Sequence, residues 1–138
     1  MPLPRAVAVV LRHDRVLVIK RHREGRDYAV LPGGGVEPGE SPAEAAVREL
    51  EEETSLVATV DALLWRGDHG GRDASYFLMK DVSGDPVLSG PEALAHSPAN
   101  SYEPLWATLD DLISLGLRPE GISDHVAELL ASQTGAKV

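Results

Sequence analysis

The chain reads as an α/β domain in which a mixed β-sheet lies between helices. Three observations predict this. Short β-branched-rich runs are interleaved with helix patterns along the whole length. The first apolar runs are nearly continuous instead of alternating, as expected for strands covered on both faces. At 138 residues, 43% of them hydrophobic, the chain has the size and composition of one domain with a real core.

In order, Arg5 to Arg12 and Arg15 to Lys20 are predicted strands joined as a hairpin by His13-Asp14. Arg21 to Asp27 reads as a polar loop and Tyr28 to Leu31 as a short strand. Pro32 followed by Gly33, Gly34 and Gly35 predicts an irregular turn. Ser41-Pro42-Ala43-Glu44 starts a helix: serine caps it, proline suits the first helical position, and glutamate three residues past the cap closes the capping box. That helix is expected to run to about Thr54. Leu56 to Arg66 and Ser75 to Lys80 read as strands joined by a Gly- and Asp-rich loop, Gly67 to Asp73. Asp81 to Asn100 is rich in Pro, Ser and Gly and carries little pattern. Tyr102 to Ala107 is a further strand, and helices near Leu109 to Leu115 and Ile122 to Ala131 close the chain. Gly135 to Val138 reads as a frayed tail.

Composition excludes several classes. There are no cysteines, hence no disulfide and no thiolate metal site. No apolar run approaches a bilayer's thickness and no signal-peptide pattern opens the chain, so a cytoplasmic location is expected, with no membrane partner. A pI near 4.9 argues against binding long nucleic acid through a basic surface. It leaves room for a small phosphorylated ligand, because a bound metal reverses the local field.

The acid is concentrated. Between Gly34 and Leu56 lie seven glutamates (37, 40, 44, 49, 51, 52 and 53) against the single cation Arg48, a balance of −6 out of −9 for the chain. Like charges at such spacing repel by roughly 1 kcal/mol per pair even in water, so a hard divalent cation held by oxygen is the first hypothesis. At 3.6 residues per turn, Glu49, Glu52 and Glu53 share one face roughly 100° wide. Ala43, Ala46, Val47, Leu50 and Thr54 form an apolar stripe beside it, while Glu44 and Glu51 point elsewhere. Arg48, one turn before Glu52, can pair with it. A merely solvated acidic face is the competing reading. Two features weigh against it: the acid trio borders the stripe that would be buried, and the glycines allow backbone carbonyls to approach the helix. A carbonyl plus two or three carboxylates suits Mg²⁺.

This segment resembles the signature of the Nudix hydrolases: G, five residues, E, seven residues, R-E, an aliphatic residue, any residue, E-E, any residue, G, an aliphatic residue. It is carried by Gly34, Glu40, Arg48, Glu49, Leu50, Glu52, Glu53 and Leu56, eight of nine defined positions, with Ser55 at the family's second glycine. The resemblance implies a single Nudix domain over residues 1–138 with an α/β/α sandwich fold. It also implies Mg²⁺- or Mn²⁺-dependent hydrolysis of a nucleoside diphosphate linked to another group, by water attack at phosphorus. Glu49 and Glu53 would be the principal metal ligands. Glu52 would be a third ligand or a supporting residue, Glu40 a support or a ligand to a further metal, and the carbonyl of Gly33 or Gly34 a backbone ligand. Arg48 would orient the carboxylates by charge-assisted hydrogen bonds. Glu52, Glu53, Arg48 and Glu103 are thus the candidate catalytic residues, Glu103 because family members carry an acid near this point. A surface glutamate is its plainer reading. A homodimer is implied by the family alone. A Nudix-fold module that binds ligand without turnover is the alternative.

Outside the signature, Trp65, Tyr76 and Trp106 suit either base stacking or core packing. Arg5, Arg12, Arg21, Arg23 and Arg26 are candidate phosphate contacts or ordinary solvated cations. His69 is a candidate base, or simply a loop histidine. His13, His22, His96 and His125 show no metal-ligand spacing. The proline that marks ADP-ribose hydrolases of the family is replaced by Gly70, and no substrate marker was found.

Overall fold

The computed structural model describes residues 3–69, 71–86, 97, 100–119 and 121–135. Gly70, His96 and the last three residues of the expected tail lie outside the described residues. Among the described residues the order is β1 (Arg5–Val9), β2 (Leu11–Arg12), β3 (Arg15–Arg23), β4 (Arg26–Val30), β5 (Gly33–Gly35), α1 (Pro42–Thr54), β6 (Val57–His69), β7 (Arg72–Ser83), β8 (Asn100–Ala107), α2 (Leu109–Leu115), β9 (Leu117–Arg118) and α3 (Ile122–Gly135).

The strands form two hydrogen-bonded sheets. One has the order β5-β1-β7-β6; the other runs β2-β3-β4-β9, with β8 paired to β3. Both are mixed, because β1 lies antiparallel to β5 but parallel to β7, and β4 antiparallel to β3 but parallel to β9. Two-residue periodicity sends side chains to opposite layers. Ala6, Ala8, Val10, Leu17, Phe77 and Met79 meet Ala45, Ala46 and Leu50 of α1. Val7, Val9, Val16, Val18, Ala74 and Tyr76 meet Leu112 of α2 and Ile122, Val126 and Leu130 of α3. The result is the expected α/β/α sandwich.

Four readings are corrected. Arg5 to Arg12 is not one hairpin arm. Only Leu11 and Arg12 pair with β3, and β1 joins the other sheet, the chain crossing at Val10, whose carbonyl accepts the Leu17 N–H at 2.9 Å. The buried parallel partner β7 accounts for the continuous apolarity of β1. Arg21 to Asp27 is strand up to Arg23 and again from Arg26, with Glu24 (φ 52°) and Gly25 (φ 75°) making the two-residue turn. Gly67 to Asp73 likewise continues the β6–β7 pairing as far as His69 opposite Arg72, with Gly71 at φ 83° in the turn. The glycines 33 to 35 form a strand instead of a turn, since β1 approaches so closely that a Cβ on Gly33 would lie 2.5 Å from the Ala6 carbonyl oxygen. The pattern also missed β9, a two-residue strand beside β4.

The α1 start follows local chemistry. The Ser41 hydroxyl accepts from the Glu44 N–H at 3.1 Å and the Glu44 carboxylate accepts from the Ser41 N–H at 2.9 Å. At the other end Ser55, at φ 66° and ψ 6°, is left-handed, and its N–H donates to the Glu51 carbonyl.

Candidate metal and substrate site

The helix α1 lies against the glycine strand β5, and three successive glycines meet three helix residues. The Gly33 N–H donates to Glu53 Oε1 at 3.3 Å. A Cβ on Gly34 would sit 2.5 Å from Glu49 Oε1 and 2.6 Å from Oε2, so the absent side chain is the space that this carboxylate fills. The Gly35 carbonyl accepts from Arg48 Nη2 at 3.0 Å. Arg48 joins the acids. It donates to both Glu40 oxygens (Nε at 2.7 Å, Nη2 at 2.9 Å), and its Nη1 donates to Glu49 at 2.9 Å and Glu52 at 3.2 Å. The fork geometry of guanidinium makes this multiple grip possible. Its consequence is electrostatic: Arg48 holds the Glu40 carboxyl down to about 2 from 4.5, helped by the Glu37 backbone, and the carboxylates raise Arg48 in turn.

Glu53 is the buried carboxylate of the cluster, 6% exposed, and it reaches a cavity of about 480 Å³ on the far side of Gly33. Arg5, Arg21, Arg23, Arg26 and Arg118 line this cavity with Tyr28 and Tyr102. Glu53 and Glu24 are its carboxylates. The Arg21 guanidinium lies 3.9 Å from the Tyr102 ring centroid and 5.7 Å from that of Tyr28, and Arg118 lies 5.0 Å from Tyr28. Burial pushes the Arg5 guanidinium below its ordinary range, Arg72 adds to this, and Glu53 and Glu49 oppose it. Its buried Nε makes no hydrogen bond among the described residues.

A family model described as NUDIX domain matches residues 2–129. The chain belongs to the Nudix family. It is 32% identical over 104 residues to an RNA pyrophosphohydrolase of Pelagibacter ubique (strain HTCC1062), spanning 62% of this chain and 66% of that protein. It is 35% identical over 91 residues to an ADP-ribose pyrophosphatase of Methanocaldococcus jannaschii, spanning 62% of this chain and 54% of that protein. The match thus spans between about half and two-thirds of these curated relatives. Among solved structures, a MutT NUDIX hydrolase from Burkholderia pseudomallei superposes with a TM-score of 0.69 at 27% identity, over 93% of this chain and 97% of that one.

The remaining candidates of this Nudix chain scatter. Glu103 is exposed and opposite Lys20, while its neighbour Tyr102, opposite Arg21, lines the cavity; the pleat puts Glu103 on the other face of β8. Trp65 stacks on Tyr76 at 5.3 Å and on His125 at 5.1 Å, and Trp106 carries the Arg12 guanidinium at 4.4 Å from its ring centroid. Four of the five candidate arginines therefore line the cavity, and Arg12 does not. Arg118 was missed, because only the pairing of β9 with β4 brings it there. His22 is paired with Asp27 at 2.7 Å, and the backbone of His69 ends β6. Among the described residues no three His, Asp or Glu side chains converge as a closed metal cage. That agrees with the donor set. Mg²⁺ takes one or two carboxylates, keeps waters and completes its shell with substrate phosphates. Glu49 and Glu53, together with the glycine backbone, offer hard oxygens of that type, and the missing Gly34 Cβ leaves the Glu49 carboxylate its place.

Proposed function

We propose that this Nudix protein is a pyrophosphohydrolase that uses Mg²⁺ or Mn²⁺ to cleave a small nucleoside diphosphate linked to another group, by attack of water at phosphorus. The observation that carries the reading is the Arg48 junction, which holds Glu40, Glu49 and Glu52 against the glycine strand next to a cationic cavity. The names of the relatives, a pyrophosphohydrolase and a pyrophosphatase, support it. Glu49 and Glu53 are the proposed ligands, with the carbonyl of Gly33 or Gly34 and, further out, Glu52. A metal bound there would neutralise the diphosphate and acidify a water. The chain's own part is positional. Arg48 keeps the acid ridge in register through four partners, Gly33 fixes the Glu53 carboxylate by its N–H, and Glu40 fixes Arg48. Glu103 lies outside this set.

The test is a phosphate-release screen over nucleoside triphosphates, dinucleotides and nucleotide sugars with Mg²⁺ and Mn²⁺. Turnover that needs the metal and falls by orders of magnitude in Glu53→Gln, with an unchanged melting curve, is the expected result. Near wild-type rates in that variant would remove Glu53 from the mechanism. Tight binding without turnover across the screen would favour a ligand-binding module instead.

A further inference from the structure

The cavity beside Glu53 has a composition that the hydrolase reading does not require. Five guanidiniums face two carboxylates, an excess of three positive charges, in a chain whose net charge is −9. On the reading above, the scissile diphosphate is held at the acid ridge of α1, so the cavity charge is additional to what that group needs. A neutral base or sugar would desolvate guanidiniums without compensating them, a costly exchange. Nor does the cavity offer an open stacking platform. Tyr102 already carries Arg21, and Tyr28 carries Arg21 and Arg118. At the floor, the orphaned Nε of Arg5 is a buried donor awaiting an acceptor. Planar forks of this kind bind phosphate by paired hydrogen bonds.

We propose that the cavity binds phosphate other than the scissile diphosphate, so that the group attached to that diphosphate is itself phosphorylated. This names the substrate class and rests on the pyrophosphohydrolase reading. The positive rim is formed by the β3–β4 hairpin, with Arg23 and Arg26 exposed and Arg118 of β9 beside them. Arg5 and Arg21 form the more enclosed part.

Two measurements separate this from the parent reading. The first is calorimetric titration of the metal-free protein, in EDTA, with inorganic tripolyphosphate and separately with adenosine. Without metal the acids of α1 repel an anion, so saturable tripolyphosphate binding reports on the cavity. Binding of tripolyphosphate but not adenosine is expected, weakening with added salt. It should fall by about tenfold or more in Arg23→Gln/Arg26→Gln, the loss of one or two charge-assisted bonds. Adenosine binding without tripolyphosphate binding, or equal affinity in the double variant, would overturn the proposal. The second compares kcat/KM in Mg²⁺ for ADP-ribose with ADP-ribose 2′-phosphate, and for diadenosine diphosphate with diadenosine tetraphosphate. A preference of about tenfold or more for the more phosphorylated partner, abolished in the double variant, is expected. Turnover without that preference refutes the substrate class and leaves the hydrolase intact. Absence of turnover with every substrate refutes the hydrolase, and the titration still decides whether the cavity is a phosphate site.

Discussion

Gly34→Ala isolates the contact between the glycine strand and the acid ridge. The backbone tolerates alanine there, since Gly34 is not among the positive-φ residues. The side chain does not fit: its Cβ would lie 2.5 and 2.6 Å from the two Glu49 oxygens, well inside a normal contact. Glu49 is the movable partner, so its carboxylate must swing away and release Arg48 Nη1, now 2.9 Å distant. The two side chains are only 24% and 15% exposed, so the pair is partly shielded from solvent. A charge-assisted bond of this kind is worth about 1.5–3 kcal/mol. Against it, alanine narrows the unfolded ensemble and stabilises by about 0.4–1 kcal/mol. Loss wins by about 1 kcal/mol, or roughly 3 °C in Tm for a domain of this size. The larger effect is on metal affinity, because Glu49 leaves its place; Mn²⁺ binding should weaken by about tenfold to a hundredfold. The assay pairs thermal melting in EDTA with Mn²⁺ titration. Gly67→Ala, whose Cβ would find nothing closer than Tyr76 at 4.0 Å, serves as the control. A Gly34→Ala protein with wild-type Tm and wild-type Mn²⁺ affinity would refute the reasoning.

Gly33→Ala is expected to act on the fold more than on the ligand, because its Cβ would meet backbone at Ala6 O and Val7 Cα, 2.5 and 2.9 Å away. Overpacking of this kind costs about 1–3 kcal/mol, so denaturant midpoints should fall further than for Gly34→Ala. Ser55→Gly relieves a left-handed serine at φ 66° and should raise Tm by about 2–3 °C, whereas Ser55→Ala should not; a lower Tm for the glycine variant would contradict the observed helix end. Glu40 supplies a pH signature. Its pKa falls from 4.5 to about 2 on folding, so its stabilisation is complete above about 4.5 and is lost as pH falls toward 2. Denaturation of Glu40→Gln beside the parent should therefore show a gap near neutrality that closes across that window, and a pH-independent gap would mean that Arg48 does not depend on the Glu40 charge.

Local rules were readable and tertiary coincidences were not. The α1 start needs only a hydroxyl, a proline and a glutamate at fixed offsets, and its end needs only Ser55 in place of glycine, so both followed from adjacent residues. Glu53 could be placed on the helix face with Glu49, but its burial depends on Gly33 across the sheet. The glycines themselves misled. In isolation three in a row mean a turn, whereas here they are a strand because Ala6 and Val7 approach too closely for side chains. The arginine cavity was half visible. Arg21, Arg23 and Arg26 are neighbours in sequence, but Arg5 and Arg118 join them only through the β1–β5 and β4–β9 pairings. Glu103 against Tyr102 turned on a single step of strand parity, which the β3–β8 register alone decides.

The arginine-lined cavity also has a kinetic consequence. With three positive charges in excess inside it, the remainder of the chain carries −12 of the net −9. An anion at long range therefore meets a repulsive molecule, and at short range an attractive mouth. At a Debye length of about 8 Å the far field is largely screened while contacts within the mouth persist. Ionic strength then acts on the two halves of binding in the same direction but with opposite effect on affinity. Added salt speeds arrival by hiding the repulsive surface and speeds departure by loosening the guanidinium–anion contacts. Such a site exchanges its ligand quickly, and its selectivity is exercised after encounter, not by steering.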